Sequence, residues 1–206
     1  MHRPMWTGKR GFDVGLSALL LLSFFPVIAV CALLITISSK GPVLYGSTRV
    51  GLRGKQITCW KLRTMYHDAE AMLQKVLQDP TLQDEWTKTH KLKKDPRITP
   101  IGHFLRKTSL DELPQLWNVL KGDLSLVGPR PISFQEVDRF LQKEGGQVFT
   151  TKPGLTGLWQ TSGRSNLPYE KRIELEKQYL QRQSFLFDLF LLIKTIPSML
   201  FPKGAF

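Results

Sequence analysis

Residues 108–131, TSLDELPQLWNVLKGDLSLVGPRP, set two adjacent carboxylates, Asp111 and Glu112, ahead of Pro114 and end on the basic turn Pro129-Arg130-Pro131. Paired acids at a helix start usually do no more than favour its positive end, and Ser109 with Glu112 matches a capping box. Pro114 argues against that role. With Ser109 as N-cap it would stand at the fifth helical position, lacking the amide needed there. A regular helix that starts near Asp111 makes Pro114 a first-turn residue, where no amide is required. Both carboxylates then lie at a helix N-terminus, where phosphate binds readily. Phosphate beside carboxylate needs cations: Arg106, Lys107 and Arg130 are candidates, and a divalent metal ion could bridge the two anions. Spacing alone leaves two readings, a helix start or a site for phosphoryl chemistry.

The elements that must position this pair begin with a membrane segment. Residues 14–37, VGLSALLLLSFFPVIAVCALLITI, carry no charge. As straight helix they reach roughly 36 Å, against about 30 Å of hydrocarbon. The run is long for a signal peptide and no small-residue cleavage motif follows it. Pro26 interrupts it, which allows either a kinked span or a helix-break-helix that enters and leaves by one face. Arg3, Lys9 and Arg10 before the run and Lys40 after it favour the second form, with both ends cytoplasmic. Lys9 and Arg10 are expected at lipid headgroups.

A chain of 206 residues suits one domain, or one domain with a membrane element. Lysine plus arginine outnumber the acids 29 to 17, for a net charge of +12, which suits an anionic partner: nucleic acid, an anionic membrane surface or a phosphorylated substrate. The chain has no nucleic-acid motif and no spaced aromatic platform, so no nucleic acid is expected. Cys31 and Cys59 fit no metal spacing and read as buried thiols.

Residues 43–50 and 55–61 read as the strands of a basic hairpin around Gly51-Leu52-Arg53-Gly54. Residues 66–92 are polar and helical, interrupted at Asp79-Pro80. Thr99-Pro100 reads as an N-cap with proline at the first helical position. Ser133 and Glu136 form a capping box that opens a helix to about Lys143. The glycine-rich stretch TTKPGLTGLWQTSGRSNLP precedes a charged helix around residues 169–182. The closing segment SFLFDLFLLIKTIPSMLF reads as an interfacial helix, with a core helix as the alternative.

The block RKTSLDELPQLWNVLKGDLSLVGPRP closely resembles the bacterial sugar transferase family, the monotopic phosphoglycosyl transferases that start cell-surface glycan assembly. Other blocks match in order: KRGFDV, GPVLYGSTRVG, WKLRTM, KPGLTGLWQTSGRS and SFLFDLFLLIKT. The resemblance implies an α+β, mostly helical fold with a re-entrant membrane helix broken at Pro26, interfacial amphipathic helices and a small β-hairpin. Residues 1–40 would be the membrane element, and residues 41–206 a catalytic region on the cytoplasmic face of the inner membrane, within one domain. It implies transfer of a sugar 1-phosphate from a UDP-sugar to polyprenyl phosphate with magnesium. Asp111 takes the part of nucleophile and Glu112 that of its acidic partner, both near the metal. The family's phosphate contacts fall on Arg106 and Arg130; Lys61 and Arg63 are further candidates for substrate contact, as are Gln160 and Arg164, for whose segment a glycine-rich structural loop is the alternative.

The match has departures: Phe25 holds the place of a serine often found before the breaking proline, Thr48 that of an acid, and Leu62 that of a phenylalanine. With no multi-span region ahead of the membrane run, the chain reads as the catalytic unit alone. GLWQTSGRS and the terminal KGAF look most like relatives that handle glucose or galactose 1-phosphate. An N-acetylated amino sugar is the alternative substrate, and a non-enzymatic membrane scaffold the alternative of another class. A homo-oligomer is left open.

Overall fold

The computed structural model describes residues 5–89, 92–142, 145–163 and 167–200. Helix α1, Lys9–Ser38, is the one helix among the described residues long and apolar enough to cross a membrane. It continues through Pro26 as a single element, where a break into two helices was expected. Proline removes one amide donor, and the bonds of the flanking turns persist. Ser23, the nearest serine, turns back to the Leu19 carbonyl at 2.8 Å and so does not compensate at Pro26.

The burial of α1 is uneven along its length. Lys9, Asp13 and Ser17 are buried at one end and Cys31 and Ile35 at the other, while residues 22–27 are all exposed. Both ends are tied to the same body, and the turn around Pro26 stands clear of it. At the first end, Lys9 donates to Asp188 Oδ2 at 2.5 Å and Trp6 Nε1 donates to the same oxygen at 3.0 Å. Arg10 donates to the carbonyls of Val119 and Leu120. Lys9 is thus turned inward onto a buried carboxylate, away from the lipid headgroups expected for it, while Arg10 stays exposed and lies along carbonyls at a helix end. At the second end Arg63 donates to the carbonyls of Ser39 and Lys40.

Strands β1, Leu44–Val50, and β2, Gln56–Leu62, form the expected antiparallel hairpin, with Leu44 opposite Leu62 and Val50 opposite Gln56. Arg53 takes the left-handed conformation at the tip, with φ 56°. Helices α2, Ala69–Val76, and α3, Pro80–Thr89, divide where Asp79-Pro80 places the break, and Asp79 Oδ1 accepts from the Thr81 amide. Helix α4, Pro100–Thr108, starts on the Thr99 cap, whose Oγ1 accepts from Gly102 at 3.0 Å. Helix α5, Gln115–Lys121, leads into β3, Ser125–Val127. The Ser133–Glu136 capping box is present and opens a single 3-10 turn that runs on into α6, Val137–Gln142. Strand β4, Gly154–Thr156, pairs in parallel with β3.

Helix α7, Tyr169–Arg182, precedes α8, Phe185–Leu200. One face of α8 enters the core through Asp188 and Leu191, both 0% exposed. The opposite face leaves Leu186, Phe190, Ile193 and Ile196 exposed, the pattern of a helix shared between a protein core and an apolar medium. The main core joins the hairpin, α5, β3, α7 and α8 with the first half of α1. A smaller cluster joins the second half of α1 to α4 and β2.

The Asp188 cluster anchors α1 to the end of the chain, since the Tyr179 hydroxyl also lies within hydrogen-bond distance of Asp188 Oδ1 and the Val127 carbonyl. Lys9→Met leaves that carboxylate buried without its cation and should destabilise the protein by about 3 kcal/mol. Adding Asp188→Asn, which removes the charge and keeps an acceptor, should recover much of the loss. Thermal unfolding in detergent measures both; equal midpoints for wild type and Lys9→Met would contradict this anchoring.

Candidate active site

Four chain segments meet at the acidic pair. Helix α4 ends at Ser109, whose left-handed backbone, φ 58°, turns the chain sharply. Asp111 and Glu112 follow in a single 3-10 turn, Leu110–Glu112, and Pro114 stands as the N-cap of α5. The pair therefore precedes the regular helix by one turn and does not begin it. Ser109 makes no side-chain cap. The capping-box reading fails because the αL backbone that closes α4 is incompatible with the extended backbone of an N-cap.

Lys61, at the end of β2, faces both acids. Its Nζ lies 2.6 Å from Glu112 Oε1 and 3.9 Å from Asp111 Oδ2. Asp111 is 7% exposed. Burial pushes its carboxyl up to about 6; Glu112 pushes the same way, while Lys61 and Arg106 oppose. A buried carboxylate in that range is easily desolvated yet still ionised near neutral pH, a state suited to attack on an electrophile.

Arg106 is aimed by a contact outside the predicted set. Its Nε donates to Thr64 Oγ1 at 2.9 Å, and Thr64 sits just past β2. The Thr64 carbonyl accepts from the Thr99 amide at 3.0 Å, so the start of α4 and the end of the hairpin are stitched together. Behind Arg106, Asp95 and Arg97 form a buried bidentate pair at 2.7 and 2.8 Å. The sequence reading passed over this pair; an acid and an arginine two apart around Pro96 are its only local mark.

Asn118 was also missed. It is fully buried, accepts from the Trp60 amide at 3.0 Å and donates to the Thr58 carbonyl at 2.7 Å. It thereby fixes β2, and with it Lys61, against α5.

The other expected site residues separate. Arg63 is 6% exposed and bound to the carbonyls after α1, so it stabilises that helix end and is not placed to meet phosphate. Lys107 is exposed. The Arg130 guanidinium lies over the Trp159 ring, 5.4 Å from its centroid. Its charge acts on Cys59 together with those of Lys61 and Glu112, so Arg130 belongs to the same neighbourhood as the acidic pair. The Cys59 thiol, pushed up to about 11 chiefly by burial, is a core group and no nucleophile. Gln160 is 6% exposed and packs beside Gly157 and the Gly128 carbonyl, under the Pro-Arg-Pro turn. Arg164 lies outside the described residues.

Among the described residues no group of three or more His, Cys, Asp or Glu side chains could hold a metal. Two adjacent carboxylates, one buried and strained by the other's charge, suit a hard divalent cation that takes its remaining oxygens from substrate phosphates and water.

The family model for bacterial sugar transferases matches residues 4–202. The chain belongs to this family. It is 43% identical over 199 residues to the undecaprenyl-phosphate galactose phosphotransferase of Salmonella typhimurium, covering 96% of this chain and 41% of that relative. It is 40% identical over 201 residues to the exopolysaccharide production protein ExoY of Rhizobium meliloti, covering 96% and 88%. It is 37% identical over 205 residues to the UDP-glucose:undecaprenyl-phosphate glucose-1-phosphate transferase of Escherichia coli, covering 96% and 41%. This sugar transferase chain thus spans less than half the length of two of these relatives and most of the third.

The stitch between Thr64 and α4 yields a test. A methyl group on Gly102 would meet the Thr64 carbonyl oxygen at 2.0 Å, and that oxygen is backbone. Gly102→Ala should therefore push α4 off the hairpin, destabilise by about 1–3 kcal/mol and lower transferase turnover by about tenfold or more through misplaced Arg106. Gly11→Ala meets nothing within 4 Å and serves as the control. Wild-type turnover in Gly102→Ala would show that Arg106 does not depend on this contact.

Proposed function

We propose that this chain transfers a hexose 1-phosphate, glucose or galactose, from a UDP-sugar to undecaprenyl phosphate, releasing UMP, as the first membrane step of a surface polysaccharide. The observation that carries the reading is the buried Asp111 among Lys61, Glu112 and Arg106, with its neighbour Leu110 packed on the membrane helix's apolar cluster. The names of the relatives support the substrates.

In the first half-reaction the Asp111 carboxylate attacks the phosphorus attached to the sugar. The bond from that phosphorus to the bridging oxygen breaks, UMP leaves with the electron pair, and an acyl phosphate joins the sugar to the enzyme. Arg106 and Arg130 offset charge on the transferring and leaving phosphates. Lys61, close to both carboxylates, offsets part of the repulsion between Glu112 and Asp111. In the second half-reaction an oxygen of the lipid phosphate attacks the same phosphorus and releases Asp111. Asp111 and Glu112 would hold magnesium, which would offset further charge on the diphosphate.

The membrane helix gives the second step its geometry. Ile28, Cys31 and Ile35 of α1 pack against Leu62, Leu105 and Leu110, and each of these leucines directly adjoins Lys61, Arg106 or Asp111 in sequence. These contacts next to the acidic pair support a site that works at the depth of a lipid phosphate. We read α1 as a re-entrant helix that bends at Pro26 without ending there, since buried residues at both its ends pack on one body and residues 22–27 are all exposed.

Two experiments test this function. Asp111→Asn should fold, join the membrane and lose essentially all turnover, because an amide forms no acyl phosphate. Wild-type protein given UDP-glucose or UDP-galactose without acceptor should release at most one UMP per active site and keep the sugar phosphate covalently. A strict need for acceptor before any UMP appears would overturn the covalent route. For topology, single cysteines at Thr7 and Lys40, both exposed, should be labelled from the cytoplasmic side alone; labelling from opposite faces would make α1 a span.

A further inference from the structure

The Pro-Arg-Pro turn is held from two sides. On one, the Gly128 amide donates to the Thr156 carbonyl at 2.9 Å and the Gly154 amide to the Pro129 carbonyl at 2.7 Å, so β4 fixes the chain just ahead of Arg130. On the other, the Arg130 amide donates to Glu176 Oε1 at 3.0 Å. Glu176 projects from the buried face of α7, 46 residues away, and is 1% exposed. Its second oxygen has no hydrogen-bond partner among the described residues.

A carboxyl group in this place is poor core material. Burial pushes it up to about 7, and the Arg130 amide and the charges of Arg172 and Arg130 offset that only in part. An apolar side chain of the same size would pack there at lower cost. What the carboxyl provides is an acceptor for one backbone amide, that of Arg130. Helix α7 also governs the other end of Arg130. Arg172 lies 4.9 Å from the centroid of the Trp159 ring on which the Arg130 guanidinium rests, and Arg172 is itself held by Glu136 at 2.8 Å.

We infer that Glu176 is a positioning residue for the donor half-reaction: by fixing the Arg130 peptide it directs the Arg130 guanidinium toward the phosphate of the leaving nucleotide. The inference rests on the proposed function, in which Arg130 acts on that phosphate. Without the acceptor, the Pro129–Arg130 peptide keeps the bond from Gly154 on its carbonyl side and loses its hold on the amide side, so the guanidinium loses its fixed direction while the fold is kept.

The test uses the full chain in detergent or nanodiscs. Glu176→Leu and Glu176→Met remove the acceptor, Glu176→Gln keeps a carbonyl oxygen and drops the charge, and Arg130→Ala is the reference. UMP affinity by calorimetry, the KM for the UDP-sugar and the rate of transfer from preformed phosphosugar-enzyme to polyprenyl phosphate are read separately. The acceptor-free variants should weaken UMP binding and raise the donor KM by about tenfold, the loss of one charge-assisted hydrogen bond. Transfer to the lipid should stay within about twofold, and Glu176→Gln should return UMP affinity to within about threefold of wild type. UMP affinity unchanged in the acceptor-free variants, an equal fall in both half-reactions, or Glu176→Gln as weak as Glu176→Leu would overturn the inference. So would failure of both acceptor-free variants to fold where Glu176→Gln folds, since the role would then be structural. A wild-type protein that releases no UMP from any UDP-sugar is a different result and would overturn the proposed function itself.

Discussion

The packing of the second half of α1 against Leu62, Leu105 and Leu110 is the contact on which the site depends. These leucines lie on three separate elements, and each sits one residue from a charged group of the site. A membrane helix that served only as a tether would leave those groups to loops. Here the apolar face of α1 is the wall behind them, and Cys31 and Ile35 are as buried as any residue of a soluble core. Burial raises the Asp111 carboxyl, and its neighbour Leu110 packs against that apolar cluster. The helix long and apolar enough to cross a membrane is thus also a wall beside the acidic pair.

Charge is spent inside the molecule as well as outside it. A net charge of +12 invites assignment of every N-terminal cation to lipid. Yet Lys9 neutralises Asp188, Arg10 closes the end of α5, Arg63 closes the end of α1, and Arg97 is bound to Asp95. Each of these adds a charged donor to backbone carbonyls near a helix end or to a buried carboxylate. Lys61 and Arg106 remain for the acidic pair, and Arg130 for the aromatic ring beside it. The cations around the pair are few, and hydrogen bonds to Thr64 and Glu176 decide where two of them point.

Local signals in the sequence determined the parts whose causes are local. Thr99 with Pro100, Ser133 with Glu136, the break at Asp79-Pro80 and the glycines of the hairpin turn each satisfy backbone groups within a few residues, so their spacing was enough to place them. The family was legible for a related reason: acids beside a proline and a basic Pro-Arg-Pro turn stand together in one short block, inside the residues 4–202 that the family model matches. Tertiary structure alone decided which cations face inward, that α1 continues through Pro26, and that Thr64, Asn118 and Glu176 aim the site. The bond from Trp6 to Asp188 spans 182 residues, that from Lys9 to Asp188 spans 179, and that from Trp60 to Asn118 spans 58. A buried carboxylate or amide at such a distance from its partner leaves no period and no cap in the chain. Its partner is chosen only when the helices pack and one unmet donor finds one unmet acceptor.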